Sequence, residues 1–443
     1  MSSSPGYTKK IRPLQLVAIV FFTVSGGPYG LEPLLTYAGQ HAALLILFIT
    51  PLLWDVPAIL TVLELNSMMP VTGGYYQWVK YALGMRWGFY EGWWTWLYTF
   101  FDLAIYPVLF VGYAAFFFPQ LEAYKIPVCL VIIWVSAGLN ILGIVQVGRL
   151  SVLLSALVLT PFLVLFAMAL IHHTGSWAAP APGLHHLPYP SLGMALYTVM
   201  WNCLGWDNVT TYAQEVDKPV RSYIICVAIA FALVILVYGL VIYFAQQSGI
   251  NYNTLNNEGF PALGQLIAGH WLGALIAAGG MASTLGIYAA VLLSVSRVPQ
   301  VMSGDRLLPA FIHRLHPRFQ TPYVSIIICS IVVSLMVLWT FADLLVIDVT
   351  VYGAGLSLEY IALIKLRLNE PDTRRPFKVP LRAGGLVLMA VLPLAVYTIA
   401  LSGAFLSAGE AAKPALFAVG ALLTAEAIWQ FIKWQKRRQG SPA

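Results

Sequence analysis

Charged residues are scarce in this chain: Asp, Glu, Lys and Arg make up only 9% of its 443 residues, whereas 59% are apolar. Soluble domains carry roughly a quarter charged residues, so this composition excludes a soluble protein. Several runs lack charge altogether, and each can supply at least one helix of the roughly 20 residues that cross a hydrocarbon core. These runs cover residues 126–148, 150–206, 222–257, 259–296, 319–342 and 383–409. The sequence therefore predicts an all-α membrane protein.

Cysteine and histidine are too few and too scattered to build a metal or catalytic centre. The four cysteines lie singly in apolar segments, which indicates neither a disulfide framework nor a metal knuckle. Most histidines fall in two predicted loops, at His172, His173, His185 and His186 and at His313 and His316. We therefore expect no enzyme, no metal and no cofactor. The net charge of +6 is spread over one set of loops, so no nucleic-acid partner is expected either.

Hydropathy predicts twelve transmembrane helices, called here helices 1 to 12. They cover residues 14–37, 41–66, 87–116, 126–143, 150–171, 191–215, 222–246, 271–297, 322–340, 343–366, 384–406 and 414–433. With the N-terminus placed inside, the inner loops hold every lysine and arginine except Lys125 and Lys413. Because basic residues concentrate in cytoplasmic loops, this predicts a multi-pass protein of the cell membrane (plasma or inner) with both termini in the cytoplasm.

Helices 1 and 6 each contain a sequence that interrupts a helix at mid-membrane. Helix 1 has the run SGGPYG at residues 25–30, and helix 6 has the weaker interruption WNCLGWDN at residues 201–208. Proline lacks an N–H group and glycine favours unwound backbone. Unpaired backbone groups at that depth are costly unless they line a cavity or meet a ligand. Paired interruptions predict a midplane solute site between inverted repeats, and glycines that only permit close helix packing are the alternative.

The positions of these interruptions divide the chain into two halves. We predict a five-plus-five inverted repeat, with helices 1–5 at residues 14–171 and helices 6–10 at residues 191–366. Helices 11 and 12 follow at residues 384–433. The remaining segments, 1–13 and 434–443, are predicted to be cytoplasmic tails.

Nine carboxylates lie inside the predicted spans, and no lysine or arginine lies in any span interior. They are Glu32, Asp55, Glu64, Glu91, Asp102, Asp207, Asp348, Glu359 and Glu426. An ionised carboxylate at mid-bilayer costs about 2.5–3.5 kcal/mol even on lenient scales. Several of these acids are therefore expected to be protonated, hydrated in a cavity, or paired with a mobile cation.

The acids differ in their expected surroundings. Glu32, Asp102 and Asp207 follow the two breaks or lie in mid-helix, and we expect them to converge on one cavity. Glu64 and Glu91 lie near the cytoplasmic face, where salt bridges to nearby basic side chains are expected. The candidate partners are Lys80, Arg86 and Arg297. Glu426 is interpreted as a surface or packing feature, and Asp55 and Asp348 stay open between the pathway and the packed interior.

Five segments carry a resemblance to a known family. They are FFTVSGGPYGLE (21–32), ELNSMMPVTGGYYQW (64–78), EGWWTWLYTFFDLAIYPVLF (91–110), WNCLGWDNVTTYAQEVDKP (201–219) and LSLEYIALIKLRLNEPDTRRPFKVP (356–380). Together they resemble the amino acid–polyamine–organocation (APC) superfamily, and within it the polyamine-uptake and L-type amino acid transporter branch. The resemblance implies a leucine-transporter-like fold that works by alternating access. The solute site would lie between the broken helices 1 and 6, completed by helices 3, 8 and 10.

Carried over position by position, the resemblance implies a set of solute-binding residues. They are Ser25, Gly26, Gly27, Tyr29, Gly30, Glu32, Asp102, Trp201, Asn202, Trp206, Asp207 and Tyr352. The backbone of the helix 1 break would hold an amino or carboxylate group, and aromatic faces would attract alkyl-ammonium groups. Glu32, Asp102 and Asp207 are also the candidates for proton coupling. Sodium is not expected, although Ser283 and Thr284 fall near hydroxyl ligands of sodium-coupled relatives.

Three functions remain in view at this point. The favoured one is proton-coupled import of a polyamine or cationic amino acid, because the membrane interior has a surplus of acids. A permease or exchanger for neutral L-amino acids is the alternative, since the glycine break can also bind a carboxylate. A nutrient sensor built on a transporter fold is the remote third. In each case the partners are a small solute and the lipid bilayer.

Overall fold

The computed structural model of this protein describes residues 13–172, 181–184, 187–216, 219–407 and 411–438. Within these ranges every regular element is a helix. The α-helices are α1 (Pro13–Val24), α2 (Pro33–Leu53), α3 (Asp55–Met68), α4 (Gly74–Leu83), α5 (Met85–Ala115), α6 (Lys125–Leu142), α7 (Ile144–His172), α8 (Tyr189–Trp201), α9 (Pro219–Gln247), α10 (Tyr252–Glu258), α11 (Phe260–Ala268), α12 (His270–Val295), α13 (Arg297–Gly304), α14 (Tyr323–Met336), α15 (Phe341–Asn369), α16 (Ala383–Leu406) and α17 (Ala412–Arg438). Short 3₁₀ helices occupy Pro119–Tyr124, Asn208–Thr210, Ala213–Glu215 and Ala310–His313. Residues 1–12 and 439–443 of the two predicted tails, together with His173, His185 and His186, lie outside the described residues.

Nine helical stretches of the described chain are long and apolar enough to cross a membrane. They are Pro33–Met68, Met85–Ala115, Pro119–Leu142, Ile144–Ile171, Val220–Gln247, His270–Gly304, Phe341–Asn369, Ala383–Leu406 and Ala412–Arg438. Two shorter apolar helices, Leu14–Val24 and Tyr323–Met336, accompany them. Large aliphatic side chains on the outer faces, such as Leu153 and Leu423, are more than half exposed. Such surfaces suit lipid rather than water, so the chain is a multi-pass membrane protein.

The interruption predicted in helix 1 is present. Helix α1 ends at Val24, and helical backbone resumes at Pro33, the first residue of α2. Gly39, with φ 66° and ψ −178°, then separates a short first piece of α2 from its remainder. The predicted helix 1 is thus two short helices joined by an unwound segment.

Two further helices differ from their predicted bounds. The predicted helix 6 (191–215) ends as an α-helix at Trp201, and only two 3₁₀ turns follow before α9. The predicted helix 2 (41–66) is not continuous, because α2 stops at Leu53 and α3 starts at Asp55. Pro51 lies just before this interruption and has no N–H to donate to the helical ladder. Asp55 therefore begins a helix in the membrane interior.

Helices α5, α12 and α15 form the centre of the bundle, and most of their residues are buried. Helix α5 packs along both α12 and α15, and α1 packs against α7, α9 and α12. Helix α8 packs against α2 and α16. Helices α16 and α17 are mostly exposed and lie at the periphery. Helix α1 and the 3₁₀ turn Asn208–Thr210, which follows α8, both pack against α12, so both breaks lie beside one of the most buried helices.

One end of the bundle carries a set of ion pairs, and we call it the basic end. It contains the pairs Lys80–Asp305 (2.6 Å), Arg86–Glu426 (2.7 Å), Arg297–Glu215 (2.6 Å), Arg367–Glu64 and Arg375–Glu64 (3.3 Å). Glu64 forms a salt bridge as predicted, but its partners are Arg367, in the last turn of α15, and Arg375, in the segment after it, and not the expected basic residues. The salt bridge predicted for Glu91 is wrong. Each of its three expected partners is taken by another carboxylate, and Oε2 of Glu91 has no hydrogen-bond partner in the described chain.

Candidate functional site

Two positions in the break after α1 require glycine, because the backbone there has a positive φ and because a Cβ atom would collide with a neighbouring helix. Gly26 and Gly30 have φ values of 64° and 88°, which side chains of L-residues rarely tolerate. A Cβ atom at Gly26 would lie 2.3 Å from Cγ1 of Ile287 on α12. A Cβ atom at Gly30 would lie 2.5 Å from Cζ3 of Trp201 on α8. These glycines therefore bring the unwound backbone directly against two neighbouring helices.

The two breaks are tied to each other by hydrogen bonds. Asn202, just after α8, donates its side-chain Nδ2 to the Gly30 carbonyl at 3.1 Å. The Tyr238 hydroxyl on α9 lies 2.7 Å from Ser25 Oγ and within 3.1 Å of the Gly27 and Asn202 carbonyls. The interrupted segments thus form one connected unit at the centre of the protein.

A small central cavity lies between these breaks. Its lining residues are Thr23, Val24, Ser25, Tyr98, Asp102, Tyr106, Trp201, Asn202, Leu204, Gly205, Asn208 and Ile287. Its free volume of about 20 Å³ has room for about one water molecule. A larger solute therefore requires the surrounding helices to separate.

Asp102 is the one acidic residue among those that line the central cavity. It is 6% exposed, and its carboxyl group accepts a 2.5 Å hydrogen bond from the Tyr106 hydroxyl, one turn along α5. Three aromatic rings, those of Tyr98, Tyr106 and Trp201, line the same space. The cavity therefore combines one carboxyl group with aromatic walls, which suits a cation.

A second, larger cavity of about 390 Å³ lies on the other side of Trp201, and we call it the vestibule. Glu32, Glu122 and Glu258 contribute acidic side chains to its lining. Trp201 lines the central cavity and contacts Gly30 and Phe341, which line the vestibule, so its ring lies between the two cavities. That ring stacks on Tyr106, with centroids 6.1 Å apart, and meets Phe341 edge to face at 5.5 Å. We call these three rings the aromatic lid.

The structure places the three predicted acids in three different surroundings and not on one cavity. Asp102 lines the central cavity, and Glu32 lines the vestibule, where it accepts from the Gly30 N–H at 2.6 Å and the Tyr113 hydroxyl at 2.9 Å. Asp207 lies beneath the central cavity, where the Tyr352 hydroxyl donates to Oδ1 at 2.8 Å. The three acids belong to three different segments of the chain, and the packing of these segments against one another sets them apart.

Several other candidate residues face away from the central cavity. The Tyr29 hydroxyl donates to the Ile276 carbonyl on α12 at 2.9 Å. The Trp206 indole N–H donates to Asp55 Oδ1 at 3.1 Å, behind the helix 6 break. Gly26 and Gly27 contact neighbouring helices through their backbone. Of the twelve candidates, Ser25, Asp102, Trp201 and Asn202 line the central cavity directly.

Two acids of α15 were not assigned from the sequence: Asp348 stayed open between the pathway and the packed interior, and Glu359 was given no role. Asp348 and Glu359 are both 0% exposed, and none of their four carboxyl oxygens has a hydrogen-bond partner in the described chain. Asp348 lies near Asp102, and Glu359 lies near Asp207 and Glu91, close enough for their charges to interact. The acids are regularly spaced along α5 and α15, and this spacing is visible in the sequence and could have identified them as a group.

Two facing helix breaks around a small buried cavity, inside a bundle of apolar helices, define a membrane transport protein. The chain belongs to the amino acid permease family, whose model matches residues 11–424. This confirms the resemblance to the APC superfamily, whose members are transporters and not enzymes.

Three relatives illustrate the range of the family. A probable polyamine transporter of Arabidopsis thaliana is 34% identical, over 88% of this chain and 82% of its own length. A polyamine transporter of Oryza sativa subsp. japonica is 30% identical, over 97% of this chain and 80% of its own. A branched-chain amino acid permease of Bacillus subtilis (strain 168) is 26% identical, over 82% of this chain and 79% of its own. The family thus supports transport of amino acids or polyamines.

Proposed function

We propose that this protein imports a polyamine or a cationic amino acid by alternating access, coupled to protons. The observation that carries the proposal is the central cavity, in which Asp102 faces three aromatic rings and no basic side chain. An ammonium group between a buried carboxylate and aromatic faces gains a charge-assisted hydrogen bond and cation–π attraction. The polyamine transporters among the relatives support the same class of solute.

The proposal includes the complete membrane topology. Twelve spans would form two inverted repeats, at residues 14–171 and 191–366, with both termini in the cytoplasm of a plasma or inner membrane. The corresponding breaks after α1 and α8 support the repeat, since inverted-repeat transporters build their sites from such breaks. On this topology the basic end is cytoplasmic and the vestibule faces outward.

The aromatic lid supports alternating access, in which the solute site opens to one side of the membrane at a time. A single layer of three rings separates the vestibule from the central cavity. Toward the basic end, the Arg297–Glu215 pair and the hydrogen bond from Thr211 to the Ser294 carbonyl hold the helix 6 region against α12 and α13. Outward opening would then require the lid to move, and inward opening would require these polar contacts to break.

The coupling ion in this proposal is a proton and not sodium. Buried carboxylates provide several places for a proton in the core. The Ser283 hydroxyl donates to the Gly26 carbonyl at 2.6 Å, and the Thr284 hydroxyl donates within its own helix. These two hydroxyls are therefore engaged in holding α1 and α12, and no cofactor enters the mechanism.

A neutral amino acid is the second candidate, supported by the branched-chain amino acid permease among the relatives. Such a solute would need free backbone amides to bind its carboxylate. The amides of Ser25, Gly26, Gly27 and Gly30 all donate within the protein. A carboxylate would have to displace these bonds, so the geometry favours the cation.

Transport by purified protein in liposomes tests the proposal. We expect uptake of labelled putrescine, spermidine or arginine that increases when the outside is acidified. Asp102→Asn should abolish this uptake, whereas Asp372→Asn, a matched change of an exposed loop residue, should leave it intact. Uptake of leucine alone would establish the neutral permease instead. Binding without uptake of any solute would indicate a sensor.

A further inference from the structure

Helices α5 and α15 carry two matched pairs of acids. Glu91 and Asp102 are eleven residues apart on α5, and Asp348 and Glu359 are eleven residues apart on α15. Eleven residues make just over three full turns, so each helix presents both acids on one face, about 16 Å apart. The common spacing suggests that the two helices work as one unit.

The two helices pack antiparallel, so the four acids lie at two depths in the bundle. Glu91 and Glu359 share one depth, and Asp102 and Asp348 share the other. The rings of Tyr98 and Tyr352 touch in the middle, with centroids 5.2 Å apart. On one side, a Cβ atom at Gly355 would lie 3.2 Å from Glu91 Oε1, which places Glu91 beside the turn that contains Glu359. On the other side, Asp102 and Asp348 interact. We call Glu91 and Glu359 the inner pair, since they lie toward the basic end.

The inner pair is buried and separate from the solute cavity. Glu91 is 1% exposed and Glu359 is 0% exposed, and neither lines the central cavity or the vestibule. Neither Glu359 oxygen has a hydrogen-bond partner in the described chain, nor does Glu91 Oε2. Oε1 of Glu91 receives only a long 3.5 Å contact from Thr95.

Among the residues that the structure describes, no positively charged side chain faces the inner pair. The titratable groups around it are the carboxylate of Asp207 and the hydroxyls of Tyr75, Tyr352 and Tyr360. Lys80, Arg86 and Arg367 are engaged in the ion pairs of the basic end. Lys365, the basic residue nearest to Glu359 in sequence, is exposed on the surface of α15. Three carboxyl groups therefore meet in the membrane interior without a fixed counter-ion.

Such a group of acids cannot be fully ionised, because adjacent carboxylates repel and apolar surroundings penalise each charge. The hydrogen-bond donors decide which acid keeps its proton. Asp207 accepts from Tyr352, and Glu91 has the weak contact from Thr95, whereas Glu359 has no donor. A neutral Glu359 can instead donate its own O–H to one of the two neighbouring carboxylates.

We propose that the coupling proton binds at Glu359, between Asp207 and Glu91, at a site distinct from the solute site at Asp102. The inference rests on the proposed function as a proton-coupled transporter. A water-derived proton forms the O–H bond of Glu359 and returns to water when the site opens at the basic end. Glu91, two turns from the start of α5, lies on the way to that end.

A chain of contacts links this proton to the solute cavity. Glu359 interacts with Asp207, whose Oδ1 is held by the Tyr352 hydroxyl. The same hydroxyl accepts from the Gly205 N–H at 3.4 Å, and Gly205 lines the cavity within the helix 6 break. Protonation of Glu359 changes the charge beside Asp207 and thereby biases the position of the helix 6 break.

The test separates solute movement from proton coupling with Glu359→Gln, which mimics the protonated acid. Full-length protein in liposomes is assayed for putrescine counterflow without a pH gradient, and for accumulation driven by an acid exterior. We expect counterflow within about twofold of the unchanged protein and loss of proton-driven accumulation. Glu426→Gln, which removes a salt-bridged carboxylate, is the matched control and should retain both activities.

Each other outcome has a definite meaning. Proton-driven accumulation that survives Glu359→Gln overturns the proton site and leaves the proposed function standing. Loss of counterflow as well, in a well-folded variant, assigns Glu359 a structural role and also overturns it. If the unchanged protein shows no counterflow of any organic cation, the proposed function itself fails.

A spectroscopic measurement covers the case in which the variant does not fold. Infrared difference spectra of the unchanged protein, recorded with and without putrescine, should contain the carbonyl band of a protonated carboxyl group. That band should change in Glu91→Gln, which alters the neighbour of Glu359. A spectrum without any protonated carboxyl band would overturn the proposal.

Discussion

The aromatic lid gives a prediction whose size follows from its contacts. Trp201→Ala removes the stacked contact with Tyr106 and the edge-to-face contact with Phe341. The indole N–H of Trp201 makes no hydrogen bond of normal geometry in the described chain and only a weaker polar contact with Asp102, so the change removes mainly packing. Aromatic pairs contribute about 0.5–1.5 kcal/mol each, so the two pairs together stabilise the closed lid by about 1–3 kcal/mol. The open state should therefore become about 5- to 150-fold more populated.

The rate of cysteine labelling measures this opening. Val24→Cys places a thiol in the central cavity at a position without polar contacts, and the four natural cysteines are buried. A charged, membrane-impermeant thiol reagent added from outside should react with this cysteine about 5- to 150-fold faster when Trp201→Ala is also present. Trp201→Phe, which keeps an aromatic ring, should give a smaller increase.

Two results would refute the reasoning about the lid. An unchanged labelling rate in Trp201→Ala would mean that other residues close the outer path. An equal increase in Trp429→Ala would mean that any lost tryptophan loosens the bundle, since Trp429 packs on Phe89 of α5, away from the lid. A labelling increase specific to Trp201 assigns closure of the outer path to these three rings.

Two further predictions concern stability. Glu64→Gln leaves the buried guanidinium of Arg367 without its counter-ion and should lower the free energy of unfolding in detergent by about 3–5 kcal/mol. A loss below about 1 kcal/mol, as expected for the exposed pair broken by Glu426→Gln, would contradict this. Gly26→Ala adds a left-handed alanine that costs about 1–2 kcal/mol, and its Cβ would overlap Ile287. Gly26→Ala should lower the midpoint of thermal unfolding, and it should do so by a smaller amount in an Ile287→Ala background, where the overlap is removed. No further loss in that background would assign the whole effect to the overlap.

The helix breaks could be predicted from the sequence because their causes are local. The run SGGPYG removes a backbone donor and places glycines where positive φ values are needed, and the break occurs there. The interruption of the predicted helix 2 near Trp54 also had a local cause, Pro51, which hydropathy alone does not register. Lost backbone bonds and glycine conformations are properties of a few consecutive residues, so sequence reasoning can reach them.

The partners of the polar side chains could not be predicted in the same way. Glu64 was expected to meet Lys80, Arg86 or Arg297, yet it binds Arg367 and Arg375, which lie some 300 positions away. Tyr29 and Trp206 were candidates for the solute site, but each donates to a different helix instead. Which face of an unwound segment meets the cavity depends on the packing of distant helices, and one sequence does not specify it.

The distribution of paired and unpaired acids argues that the central carboxylates serve transport and not stability. At the basic end, five cationic side chains find carboxylates, so this fold can build ion pairs within a turn or two of Glu91. Glu91 nonetheless stays unpaired, together with Asp348 and Glu359 deeper in the bundle. An unpaired buried acid contributes nothing to stability, and a neutral amide or apolar residue would pack there at lower cost. Their retention along two central helices supports the proposal that they serve charges that move, the solute's ammonium group near Asp102 and a proton at the inner pair.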